Sequence, residues 1–162
     1  AHDELLFIIV HQASELWLKL CLHELEAART AIEGDDLRPA FKMLARVARA
    51  QTQLIQSWDV LSTMTPHDYS RIRPHLGRSS GFQSPQYRMM EFMLGERSER
   101  HVRIHAGNGD WAERLEAERG RASLYDAAIA LLARRGFAID AAATRRDPAE
   151  PYAHNTSVEA AW

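Results

Sequence analysis

The stretch Glu4-Leu5-Leu6-Phe7-Ile8-Ile9-Val10-His11-Gln12-Ala13-Ser14-Glu15-Leu16-Trp17-Leu18-Lys19-Leu20, with its continuation to Glu33, decides the fold. Leu5, Ile8, Ile9, Leu16, Leu20 and Ala27 recur at i, i+3, i+4 spacing, the period of one helix face. Leu6, Phe7, Trp17, Leu18 and Leu22 cover other sides, and a helix apolar on several sides is expected to be central and buried. Asp3 is placed to cap this helix and Gly34 to close it. At about 1.5 Å per residue it would span roughly 40 Å.

Working outward, Asp36 opens a second long helix, with Pro39 tolerated in its first turn. Leu37, Phe41, Leu44, Val47, Gln51, Leu54, Trp58 and Leu61 form its stripe. The short connection predicts an antiparallel helical hairpin. Thr65-Pro66 starts a short segment with Tyr69 and Arg73, and Arg73 before Pro74 is biased away from the helical region. Gly77 to Gly81 reads as a small-residue loop, and Ser84-Pro85 as a helix start running to Leu94 before Gly95. Residues 96–110 read as a polar, exposed connection, and the arginines at 97, 100 and 103 as a solvated face. Asp110 and Ser123 are positioned as caps of two more helices, the second ending at Arg134-Arg135 before Gly136. The stretch 140–156 carries no clear period and is expected to be mobile. No β-type alternation and no internal repeat occur. The fold class is therefore all-α, a helical bundle built on two long antiparallel helices with shorter ones around them, in a single domain over 1–162.

The bulk properties fit that reading. The chain has 162 residues, 46% hydrophobic and 26% charged, enough for one domain with a sizeable core. No run approaches about 18 uninterrupted apolar residues, so no membrane-spanning helix is expected. A formal net charge of -2 argues against binding nucleic acid through a basic surface. Cys21 is the single cysteine, which excludes an internal disulfide and multi-cysteine zinc sites and suits a reducing, cytoplasmic setting. The chain begins Ala-His-Asp-Glu, and Ser157 to Trp162 reads as a helix cap and first turn, so a piece of a longer polypeptide is expected.

Phe7 and His11 lie at i, i+4 and point to one side of the first helix. An imidazole there reads either as a hydrogen-bonded core residue or as a group able to accept and donate a proton near neutrality. Arg73, near Tyr69, reads either as a surface ion-pair partner or as a planar fork for a carboxylate. Ser79-Ser80-Gly81-Phe82 reads either as an ordinary loop or as backbone able to approach a flat ligand closely. It lacks the preceding strand and the pattern of a nucleophile elbow, so a hydrolase is a poor reading. His101 and His105 have the spacing of a two-histidine metal pair without the accompanying glutamate.

The runs Leu6 to Lys19, Gln56-Ser57-Trp58-Asp59-Val60-Leu61, Ser79 to Arg88, and Leu124-Tyr125 through Gly136 together closely resemble the tryptophan 2,3-dioxygenase family, in order and along essentially the whole chain. The resemblance implies an all-α, haem-dependent, homotetrameric, cytoplasmic enzyme. It implies insertion of O2 across the indole C2–C3 bond of L-tryptophan to give N-formylkynurenine, the first step of the kynurenine route of tryptophan catabolism. It assigns the catalytic, indole-contacting role to His11. Phe7, Tyr69, Arg73, Leu76 and Ser80 join it as substrate-binding residues, and Trp58, Ser80 and Gly81 as haem-binding residues. It implies haem b as cofactor, with the iron's proximal histidine outside this chain. Two alternatives stand beside it: a related haem-dependent indole monooxygenase, and a non-catalytic helical interaction domain packing through Trp17, Trp58 and methionines 89, 90 and 93.

Overall fold

The computed structural model describes residues 2–77, 83–105, 107 and 109–162. Two long helices, α1 (Glu4–Glu33) and α2 (Leu37–Leu61), form the expected hairpin. There follow α3 (Pro66–Ile72), a 3₁₀ turn at Arg73–Leu76, α4 (Pro85–Leu94), α5 (Glu99–Ile104), α6 (Trp111–Arg119), α7 (Leu124–Arg134), α8 (Ala141–Thr144) and α9 (Thr156–Ala161). There is no strand among the described residues. The fold is all-α.

The core is not the stripe that the first residues suggest. Leu18, Cys21 and Leu25 of α1 pack with Val47 and Ala50 of α2, Met89, Met90, Phe92 and Met93 of α4, and Leu115 of α6. A second cluster joins Ile32, Ala40, Ala127 and Leu131 at the α1–α2–α7 end. Leu5, Ile8, Ile9 and Leu16 are instead exposed, Leu16 at 70%. The reason is geometric: the seven buried residues of α1, from Leu18 to Ile32, all lie in its C-terminal half, where neighbouring helices pack. On α2, Phe41 and Trp58 likewise leave the buried stripe, at 63% and 62% exposure. α1 is long and apolar enough to cross a membrane by length and composition alone, but its second half is a packed bundle element.

The caps separate into two groups. Thr65, Ser84 and Ser123 have extended backbones, and each accepts the amide N–H three residues on. At Ser123 the Asp126 carboxylate answers back, completing a capping box despite its shorter side chain. Asp3, Asp36 and Asp110 make no side-chain cap; Asp3 and Asp110 have helical backbones that aim the carboxylate away from the free amides. The left-handed residue after α1 is Asp35, not Gly34. The final helix is capped by Asn155 rather than Ser157, its Oδ1 accepting from the amides of Ser157 and Val158. Arg73 is helical rather than extended, because Pro74 sits in the first turn of the 3₁₀ segment, where no N–H is required.

Arg97 departs most from its expected solvated place. It is buried, donating from Nε to the Phe92 carbonyl (3.1 Å) and from Nη1 to the carbonyls of Arg119 (2.8 Å), Arg121 and Pro148 (3.1 Å). Chain ends of α4 and α6 leave carbonyls unpaired, and a guanidinium has enough donors to serve several. Within 140–156, Arg146 bonds to Asp126 (2.9 Å), and the Tyr152 hydroxyl bonds to Ser123 Oγ (2.5 Å).

Candidate functional site

The site begins in the first turns of α1. The Phe7 and His11 rings face one another with centroids 4.1 Å apart and planes tilted by 34°. His11 Nδ1 lies 2.7 Å from the Phe7 carbonyl oxygen. A carbonyl can only accept, so Nδ1 carries the proton and Nε2 of the neutral ring is left as an acceptor. The helix therefore both orients the imidazole and selects its tautomer.

The Phe7 ring also meets Tyr69, at 6.3 Å between centroids and 41° between planes. This is how α3 reaches α1. Thr65 caps α3, accepting from Asp68 N at 3.2 Å, and its hydroxyl bonds the Asp68 carboxylate in return. That hydrogen bond is the main reason the Asp68 pKa is lowered. The capped first turn presents Tyr69, and Arg73 follows one turn later. Arg73 Nη1 donates to the Gly77 carbonyl at 2.7 Å, leaving its other donors available to a ligand. Gly77 takes φ +56°, a conformation that suits glycine where the chain reverses. Leu76 is half-buried beside it.

The structure thus brings together His11, Phe7 and Tyr69 as a continuous aromatic row, with Arg73 opening the 3₁₀ turn that follows the helix carrying Tyr69. Trp58 stands exposed near the end of α2. Ser80 and Gly81 lie outside the described residues. The row is an open face rather than an enclosed cavity, with Tyr69 41% exposed. Two clefts among the described residues lie elsewhere. One of about 430 Å³ is lined by Trp17, Leu20, Arg46 and Arg49, and one of about 320 Å³ by Leu22, Met89, Met93 and Arg114.

One connection was not singled out in the sequence although both partners lie in its longest motifs. Gln86, in the first turn of α4, donates from Nε2 to the Glu15 carbonyl (3.0 Å) and to Glu15 Oε2 (2.6 Å). Nothing in spacing predicts it, because the partners are 71 residues apart. His101 and His105 pack between α4 and α6, with His101 Nδ1 3.7 Å from the Glu91 carboxylate. No group of three His, Cys, Asp or Glu residues able to hold a metal ion occurs among the described residues. Cys21 is fully buried, and burial raises its thiol pKa, which makes it an inert core residue.

Comparison with known proteins identifies the family. The family model for tryptophan 2,3-dioxygenase matches residues 1–119. A tryptophan 2,3-dioxygenase of Erythrobacter litoralis is 69% identical over the whole chain, which covers 62% of that protein. Those of Paraburkholderia phytofirmans and Ralstonia pickettii are 55% and 54% identical over 99% of the chain, which covers 53% and 58% of them. The chain thus spans between about half and two thirds of the length of these relatives. With the family model matched through Arg119 and identity above one half carried to the end, the chain belongs to the tryptophan 2,3-dioxygenase family.

Proposed function

We propose that this chain forms the substrate side of a haem-dependent dioxygenase that converts L-tryptophan and O2 to N-formylkynurenine, the first step of the kynurenine route. The observation that carries the reading is the His11–Phe7–Tyr69 row, with the His11 Nδ1 held on the Phe7 carbonyl so that Nε2 is left as the acceptor.

The residues present suit a haem on this face. A porphyrin would bring its own nitrogen ligands to the iron, so what this face would have to supply is apolar cover and not a three-ligand metal cluster. The exposed Trp58 offers apolar cover of that kind. Trp58, Ser80 and Gly81 would hold haem b from this side, and a histidine from outside these residues would bind its iron. Ferrous haem supplies the oxygen-activating chemistry when bound.

What this chain adds is placement. The Nε2 atom of His11 accepts the indole N–H, which fixes the rotation of the ring. Phe7 lies against the indole, and Leu76 narrows the apolar side. Arg73 pairs with the substrate carboxylate, assisted by Tyr69, and so selects free amino acids. Covering the row with substrate excludes water from the reacting edge. His11 acts here by orienting, because an indole N–H is too weak an acid to be readily abstracted by a neutral imidazole. The assembly is a cytoplasmic homotetramer that binds neither nucleic acid nor membrane.

The interaction-domain reading, through Trp17, Trp58 and methionines 89, 90 and 93, is not favoured: Met89, Met90 and Met93 are buried, although Trp17 and Trp58 are exposed. The test is turnover of L-tryptophan under ¹⁸O2 by the full-length protein loaded with haem. Two labelled oxygen atoms in the product are expected; one would mark a monooxygenase, and none would overturn the reading.

A further inference from the structure

The Gln86 amide bridges two helices at one residue. Its Nε2 donates to both the carbonyl and the carboxylate of Glu15, at 3.0 and 2.6 Å. Both acceptors lack protons, so chemistry alone assigns the nitrogen to that side. Glu15 and Gln86 are both partly buried, which keeps water from competing for the bond. Glu15 stands one helical turn from His11, so about 6 Å of rigid helix separates the bridge from the imidazole. A donor gripping a backbone atom and a side-chain atom together fixes both the height and the rotation of α1 against α4.

We propose that Gln86 is a positioning residue for the substrate reaction. It sets the His11-bearing turn of α1 against the start of α4. The inference rests on the function proposed above. The residue type follows from the partners. A glutamate at 86 would set carboxylate against carboxylate. A methionine of similar length would leave the Glu15 carboxylate without its cross-helix donor.

The experiment uses the full-length holoenzyme with Gln86→Met, His11→Ala and the double variant. Gln86→Met is expected to lower kcat/KM for L-tryptophan about fivefold in the presence of His11, and by less than about twofold once His11 is alanine. Glu15→Leu should behave like Gln86→Met, while Glu15→Gln, which keeps an acceptor oxygen, should recover most of the activity. Equal losses in both His11 backgrounds, or no recovery in Glu15→Gln, would show a merely structural contact and overturn the proposal. Should Gln86→Met fail to fold, Gln86→Glu serves instead. Its paired carboxylates share a proton at low pH, so its relative activity should rise as pH falls, and a profile parallel to wild type counts against the idea. Amide exchange separates the two readings. If the wild-type holoenzyme leaves L-tryptophan unchanged, the functional reading fails. Faster exchange across residues 8–15 in Gln86→Met would still support the positioning role, and unchanged exchange would defeat it.

Discussion

The ring of Tyr152 occupies the space above Gly95 that any other residue would need. A Cβ on Gly95 would stand 2.6 Å from Tyr152 Cε2 and 2.7 Å from its hydroxyl oxygen. Gly95 ends α4 at φ +118°, a backbone conformation that L side chains rarely adopt. Gly95→Ala therefore carries backbone strain and displaces a ring whose hydroxyl bonds to the Ser123 cap. A loss of about 2–4 kcal/mol is expected in urea unfolding. Tyr152→Ala in the same background should remove the steric part, so the two losses should fall short of additivity.

Arg29 and Glu118 form the most deeply buried ion pair, with side chains 2% and 6% exposed and Nη1 to Oε1 at 2.5 Å. Nη1 also donates to the Ala122 carbonyl, and Nη2 bonds Glu26. Arg29→Met strands a buried carboxylate, although Arg121 remains 3.1 Å from Glu118. We expect about 3 kcal/mol of destabilisation, with part of it restored by Glu118→Leu on top. A loss below about 1 kcal/mol would mean that Arg121 alone satisfies Glu118.

If His11 orients the indole, His11→Ala removes one hydrogen bond to a neutral donor. The expected fall in kcat/KM is then about 3- to 10-fold, with activity retained. Complete loss, with haem and tryptophan still bound, would instead make His11 an obligatory base.

Arg73 keeps one donor on Gly77, and in the proposed reading its remaining donors bind the substrate carboxylate. Arg73→Lys replaces a planar fork by a point charge. Its KM for L-tryptophan should rise about 10- to 100-fold, with a smaller change in kcat. Binding of tryptamine, which lacks the carboxylate, should not change between the two proteins; parallel weakening of both ligands would remove Arg73 from the carboxylate contact.

His105 is 3% exposed. Its pKa is lowered by burial, then by the positive charge of Arg88 and by His101. The folded state therefore holds it neutral. Above about pH 6.5 the unfolded chain is neutral there too, and this position sets no acid penalty. As pH falls below that value the unfolded chain takes up a proton that the fold resists, and stability is lost down to the folded pKa. The lowered carboxylates of Glu26 and Asp126 cost stability only at lower pH, below the ordinary carboxylate range. Between about pH 7 and pH 5.5 the Tm should drop further in wild type than in His105→Leu. Equal slopes would assign the acid sensitivity elsewhere.

Local chemistry decided much of this protein before any packing was known. The two long helices, the working caps Thr65, Ser84 and Ser123, and the stop at Gly95 follow from short-range rules of period and hydrogen bonding. The runs Leu6 to Lys19, Gln56 to Leu61, Ser79 to Arg88 and Leu124 to Gly136 carried the family. Only the tertiary structure decided which apolar residues are inside. α1 is apolar on several sides, so its periodicity alone cannot say whether Leu16 or Leu18 faces the core; the neighbours α2 and α4 choose Leu18. The same holds for Arg97, whose partners lie up to 51 residues away, and for Gln86, which finds Glu15 across 71. Contacts of that range are set by where helices cross, and no one helix's sequence records where it will meet another.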